Sequence, residues 1–96
     1  DVVPPFVQHE SIMAYFDKLG KKMDHMHIID GSQGTDSHIV PGEGSIPMDE
    51  LFCELKRTGY DGTATLELVT GYINEPRFYA RRAVDNVRAM MARAGL

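Results

Sequence analysis

Asp24-His25-Met26-His27-Ile28-Ile29-Asp30 is the stretch on which the reading of this chain turns. Met26 and Ile28 alternate with His25 and His27, and a period of two is that of a strand with its apolar residues on one face and both imidazoles on the other. In a parallel barrel, Met26 and Ile28 would face surrounding helices and His27 would point inward near the carboxyl end, where barrel enzymes keep their sites. Taken alone, His27 is equally a solvated polar residue on a half-buried strand. Its neighbours decide between the two.

On either side the pattern changes to helical spacing. Upstream, Ile12, Met13, Phe16 and Leu19 define a helix over about His9 to Leu19, with Ser11 or Glu10 at its start and Gly20 at its end. Before it, Asp1 to Val3 reads as the end of a strand, stopped by Pro4-Pro5 because proline cannot donate to a ladder. Downstream, residues 30 to 46 are rich in Gly, Ser, Asp and Pro, a long loop of the kind that carries function. Met48, Leu51, Phe52 and Leu55 then predict a helix from about Pro47 to Thr58, closed by Gly59. Thr63 to Val69 alternates again, with Ala64, Leu66 and Leu68 expected on the helices and Thr63, Thr65 and Glu67 facing in. The last helix starts at Asn74-Glu75-Pro76 and carries Ala80, Ala83, Val84, Val87, Met90, Met91 and Ala94 on one stripe. Arg81, Arg82, Arg88 and Arg93 form its solvated side.

Strand and helix alternating three times is the pattern of parallel α/β structure. A closed (β/α)8 barrel takes about 250 residues, so these 96 are expected to be three βα units, strands 6 to 8, forming the carboxyl-terminal part of one TIM-barrel domain over residues 1–96. The first five strands would come from elsewhere, from a separate segment or another copy, because an open sheet exposes its edges and is marginal alone.

Composition narrows the function classes. With 43% hydrophobic and 25% charged residues the chain is an ordinary globular one, and a formal net charge of −4 argues against nucleic acid as a partner. The one cysteine, Cys53, cannot form an internal disulfide, which favours a reducing, cytoplasmic setting, and its place in a helix suggests packing. No apolar run is long enough to cross a membrane.

Three side chains fall at the expected carboxyl ends of successive strands: Asp1, His27 and Glu67. Two carboxylates and an imidazole converging at a barrel mouth make a divalent metal site short of one ligand, and oxygen-rich ligation favours Mn²⁺, Mg²⁺ or Co²⁺, with Zn²⁺ or Ni²⁺ possible. A carboxylate on an inward face is costly unless solvated, paired or metal-bound.

Asp1, His25-Met26-His27, Pro41-Gly42-Glu43-Gly44 and Gly59-Tyr60-Asp61-Gly62-Thr63 through Leu66-Glu67 together resemble the carboxyl-terminal part of the xylose-isomerase-like sugar epimerases and isomerases, a superfamily that also contains endonuclease IV. Asp36-Ser37-His38, Leu66-Glu67-Leu68-Val69-Thr70, Asn74-Glu75-Pro76-Arg77 and Tyr79-Ala80-Arg81 are similar to its fructoselysine 3-epimerase branch. The resemblance implies an isomerase that abstracts a proton at carbon 3 of a ketose through an enediolate. Glu67 would be both metal ligand and one of two acid/base carboxylates, the other lying on an earlier strand, so the 96 residues alone would be inactive. It also implies a homo-oligomer of the complete protein.

Departures from the family pattern bear on substrate. Pro4 stands where free-ketohexose epimerases carry a His three residues after the ligand Asp, and no Arg occurs among Asp30 to Gln33 for substrate contact. A substituted sugar such as fructoselysine or psicoselysine is therefore favoured over a free ketohexose. Asp36 and His38, in the longer loop, are candidate substrate contacts or second-metal ligands; the alternative is local hydrogen bonding. Arg77 would hold a substrate anion or simply a salt bridge at the helix start, and Glu43, between glycines, shapes its loop. Two other readings compete: a metal phosphodiesterase like endonuclease IV, in which Asp36-x-His38 binds metal, and an inactive fragment serving only in assembly.

Overall fold

The computed structural model describes residues 1–96, the side chain of Thr70 excepted. Along the chain run helix α1 (Val3–Val7), helix α2 (Ile12–Leu19), strand β1 (His25–Ile28), helix α3 (Met48–Thr58), strand β2 (Thr63–Leu66) and helix α4 (Pro76–Ala94). Short 3-10 turns cover Gly20–Lys22 and Thr70–Tyr72.

β1 and β2 pair in parallel, with His25 opposite Thr63, His27 opposite Thr65 and Ile28 opposite Leu66. The crossover between them is α3, as parallel neighbours require. Met26 and Ile28 are buried while His25 is exposed and His27 half-buried, so the alternation read from the sequence sorts one face to the helices and the other to the site. Ile29 continues the buried run, and Asp30 pairs antiparallel with Ile39 beyond the strand end.

Each helix forms for a local reason. Ser11 caps α2, its Oγ accepting from Ala14 N at 3.3 Å, so the helix begins at Ile12 rather than at His9. Ser11→Ala is expected to lower stability in urea unfolding by about 0.5–1 kcal/mol, the low end for an exposed cap. α3 has Asp49 and Glu50 in its first turn, Lys56 and Arg57 in its last, and Gly59 in the left-handed conformation at φ 64°. Its buried stripe is Met48, Leu51, Phe52 and Leu55. Cys53 points away from that stripe and is exposed, which corrects the expectation of a packing role: one residue past Phe52 the helix has turned by about 100°. On α4 only Ala83 and Met90 are fully buried, with Val87 and Ala94 packed beside them. Arg93 reaches Asp49 of α3 at 2.7 Å.

The amino terminus differs from expectation. Asp1 to Val3 does not end a strand: Val3–Val7 is helical, and two of the three expected strands are formed among the described residues. Pro4 and Pro5 lie in the first turn of α1, where a missing N–H costs nothing and a fixed φ suits a helix. Asp1 Oδ1 accepts from Val3 N at 2.8 Å, tying the first residue to that turn.

The core is one cluster, with Val3, Phe16, Met26, Ile28, Ile29, Leu51, Phe52, Leu55 and Met90 among its members. Beside β2 the surface is less complete: Ala64 is exposed, Leu66 and Leu68 are half-buried, and Val69, Ile73 and Phe78 are exposed apolar residues. No helix among the described residues is long and apolar enough to cross a membrane.

At the amino end of β2, a Cβ on Gly62 would collide with the Asp24 carbonyl and the Tyr60 hydroxyl, so the chain can pass there only as glycine. Tyr60 donates to Thr63 O at 2.8 Å. Burial, and then the charge of Asp24, push its phenol above the ordinary range. A raised folded value favours the protonated form, so the stability it lends holds below the unfolded value, about pH 10, and is lost as pH rises through the folded value. Urea midpoints should lose this contribution only as the pH rises past about 10, and Tyr60→Phe should flatten the decline there.

Candidate metal and acid-base site

The site lies at the carboxyl ends of β1 and β2 and is completed by the first residue and the loop after β1. His27 stands on the imidazole face of β1, and Glu67 follows the last residue of β2. Their side chains meet, His27 Nδ1 lying 3.0 Å from Glu67 Oε2. Both are roughly 40% exposed, so solvent can reach them. His25, one turn of the pleat back, pairs with Thr63 Oγ1 at 2.7 Å and packs edge-on to His27 with ring centroids 5.4 Å apart.

His38 comes from the long loop. Its side chain is only 13% exposed, with Nε2 2.9 Å from Asp1 Oδ2 and 3.4 Å from Glu67 Oε2. Nδ1 of the same ring lies 3.6 Å from Asp36 Oδ1, and Asp36 is otherwise in water. Asp1, His38 and Glu67 each place one ligand atom within 4.8 Å of the others. Three donors at that spacing can surround one cation at the usual distance of about 2.0–2.3 Å from each after small rotations, and the mix of two carboxylates and imidazole suits a hard or borderline divalent ion.

The expected ligand set was Asp1, His27 and Glu67. In the structure His27 touches Glu67, while the tight triad holds His38, expected as a substrate contact or second-metal ligand. Four side chains thus converge: Asp1, His27, His38 and Glu67. Asp36 borders them through His38. Arg77 does not join: it is exposed in the first turn of α4 and forms no ion pair among the described residues. Glu43 is turned toward α4, where it pairs with Arg82, in keeping with a loop-shaping part rather than a chemical one.

Reading the sequence missed the groups that hold this loop. Asp30, 1% exposed, accepts from the backbone N–H groups of Gly31, Gly42, Gly44 and Ile46. The Tyr72 hydroxyl accepts from Val40 N at 3.0 Å, and Asn86 of α4 donates to Pro41 O at 2.9 Å. The available signal was a lone Asp at a strand end followed by glycines.

The family model described as xylose isomerase-like TIM barrel matches residues 6–92. Fructoselysine 3-epimerase of Shigella flexneri and that of Escherichia coli O157:H7 are each 50% identical over 91 residues, 95% of this chain and 33% of theirs. L-ribulose-5-phosphate 3-epimerase UlaE of an Escherichia coli strain is 31% identical over 71 residues, 74% of this chain and 25% of its own. The chain therefore spans about a third of the length of the first two relatives. No solved structure matches it significantly.

Proposed function

The chain belongs to the xylose isomerase-like TIM barrel family, and from that premise we propose that it forms part of the carboxyl-terminal wall of a divalent-metal-dependent sugar 3-epimerase acting on a substituted ketose of the fructoselysine type, with β1 and β2 as two neighbouring strands of that wall. The convergence of Asp1, His27, His38 and Glu67 at the carboxyl ends of β1 and β2 is the observation that carries this reading. The remaining strands of the barrel are its necessary partner, since β2 has an open edge bordered by exposed apolar residues.

In this reading Asp1, Glu67 and an imidazole hold the cation, which when bound would act as a Lewis acid on the substrate's carbonyl oxygen. Glu67 takes the proton from carbon 3, leaving an enediolate, and a protonated carboxyl group of an earlier strand gives its own proton to the opposite face of that carbon. His27, at 3.0 Å, orients the Glu67 carboxylate, and His38 fixes the separation of Asp1 from Glu67. The phosphodiesterase reading is weaker, because the relatives named above are 3-epimerases.

Incubating the intact protein and Mn²⁺ with fructoselysine in deuterated water tests the proposal. Deuterium should appear at carbon 3 of substrate and product; epimerisation with no label there, or label confined to carbon 1, would refute proton abstraction at that carbon.

A further inference from the structure

We propose that Asp30 is a positioning residue that sets His38 against Asp1 and Glu67, acting through the loop rather than by touching substrate. This rests on reading that cluster as the functional site. Asp30 grips the loop at both ends. Its backbone N–H donates to Ile39 O at 3.1 Å and its carbonyl accepts from Ile39 N at 3.0 Å, which fixes the residue next to His38. Its carboxylate reaches further along the chain: Oδ1 accepts from Gly31 N at 2.8 Å and Ile46 N at 3.1 Å, and Oδ2 from Gly42 N at 2.8 Å and Gly44 N at 3.0 Å.

The chemistry of the acceptor is specific. An ionised carboxylate is acceptor-only and can serve all four donors, whereas an amide would turn an NH2 group toward two of them. Asp30 has no cationic partner among the described residues, so the N–H dipoles alone offset the cost of burying its charge. The loop is shaped around it: a Cβ on Gly44 would collide with Oδ1 of Asp30 and with the Gly31 carbonyl. Between the two anchored ends lie the exposed residues 33–36, which by themselves would leave His38 free to wander. The Asp30 to Ile39 bridge removes that freedom one residue from the imidazole.

The test is Asp30→Asn in the intact protein, followed by amide hydrogen exchange, the imidazole NMR resonance of His38, and titration with Mn²⁺ alone. Amides of Gly42, Gly44 and Ile46 should exchange faster while α3 and α4 stay protected. The His38 resonance should move toward that of an Asp1→Ala variant, and the Kd for Mn²⁺ should rise about 10–100-fold, as when an outer partner of a metal ligand is lost. Faster loop exchange with an unmoved His38 resonance and unchanged Kd would reduce Asp30 to a fold-stabilising residue and overturn the proposal. Should the parent protein bind no Mn²⁺, the cation reading falls, and the exchange and resonance measurements still decide the part played by Asp30. If Asp30→Asn does not fold, Gly44→Ala, whose Cβ would meet Oδ1 of Asp30, disturbs the grip of the carboxylate at a distance from His38 and leaves the charge in place. The same movement of the His38 resonance is expected there, and its absence would again overturn the proposal.

Discussion

Glu67→Gln in the intact protein is expected to lower the exchange of the carbon 3 hydrogen with solvent deuterium by about 10²–10⁴-fold, the usual worth of a positioned general base. Glutamine keeps the size of the side chain and one oxygen, so its neighbours can remain in place. What disappears is the ability to take a proton. The contact of His27 Nδ1 with Oε2 at 3.0 Å, and that of His38 Nε2 with the same oxygen at 3.4 Å, place Glu67 at the centre of the cluster rather than at its rim. A loss of metal affinity would accompany the change if Glu67 also ligates. Measuring exchange at saturating Mn²⁺ separates the two effects, and undiminished exchange under that condition would remove Glu67 from the chemistry.

Phe52→Ala is expected to have the largest effect on stability. Phe52 is 1% exposed and sits on α3 between Leu51 and Leu55, within the cluster that also holds Ile28 and Met26 of β1. Truncating a buried aromatic typically costs about 3–5 kcal/mol, from lost transfer energy and from the cavity left behind. α3 is the crossover that joins β1 to β2, so loosening it also relaxes the register that brings His27 to Glu67. Urea unfolding of the intact protein should show the loss, while Met91→Ala, at a position 37% exposed, should stay within about 0.5 kcal/mol of the parent. A change below about 1 kcal/mol in Phe52→Ala would mean that α3 is not packed as described.

Much of this architecture can be read in the residues because local pattern and burial agree. Met26 and Ile28 alternate and are buried; Met48, Leu51, Phe52 and Leu55 keep helical spacing and are buried; Gly59 ends its helix in the left-handed conformation that glycine adopts at least cost. Similarity to relatives of three times the length accords with a barrel family, though the described residues form two strands where three were expected. The discrepancy falls where two signals compete. Asp1 to Val3 offers too few residues to specify a strand, and Pro4-Pro5, read as a stop for a ladder, serves equally well as the first turn of a helix.

The candidate site was legible in its chemistry and less so in its partners. His27 and Glu67 could be placed on one face from period two alone, and the register of β1 with β2 brings them together. His38 could be recognised as a reactive type in a long loop, but its approach to Asp1 depends on contacts between residues distant in the chain. Asp30 was hidden for the same reason. Its four donors are backbone groups, which every residue but proline carries, so no side-chain pattern marks them.

The most direct measurement is an anomalous-scattering difference map from crystals of the intact protein grown with Mn²⁺. One peak per chain is expected between Asp1 and Glu67, bonded to both carboxylates and to the imidazole of His27 or His38. A map with no peak there, or with manganese bound only at residues outside this group, would contradict the claim that these side chains gather around a single divalent cation.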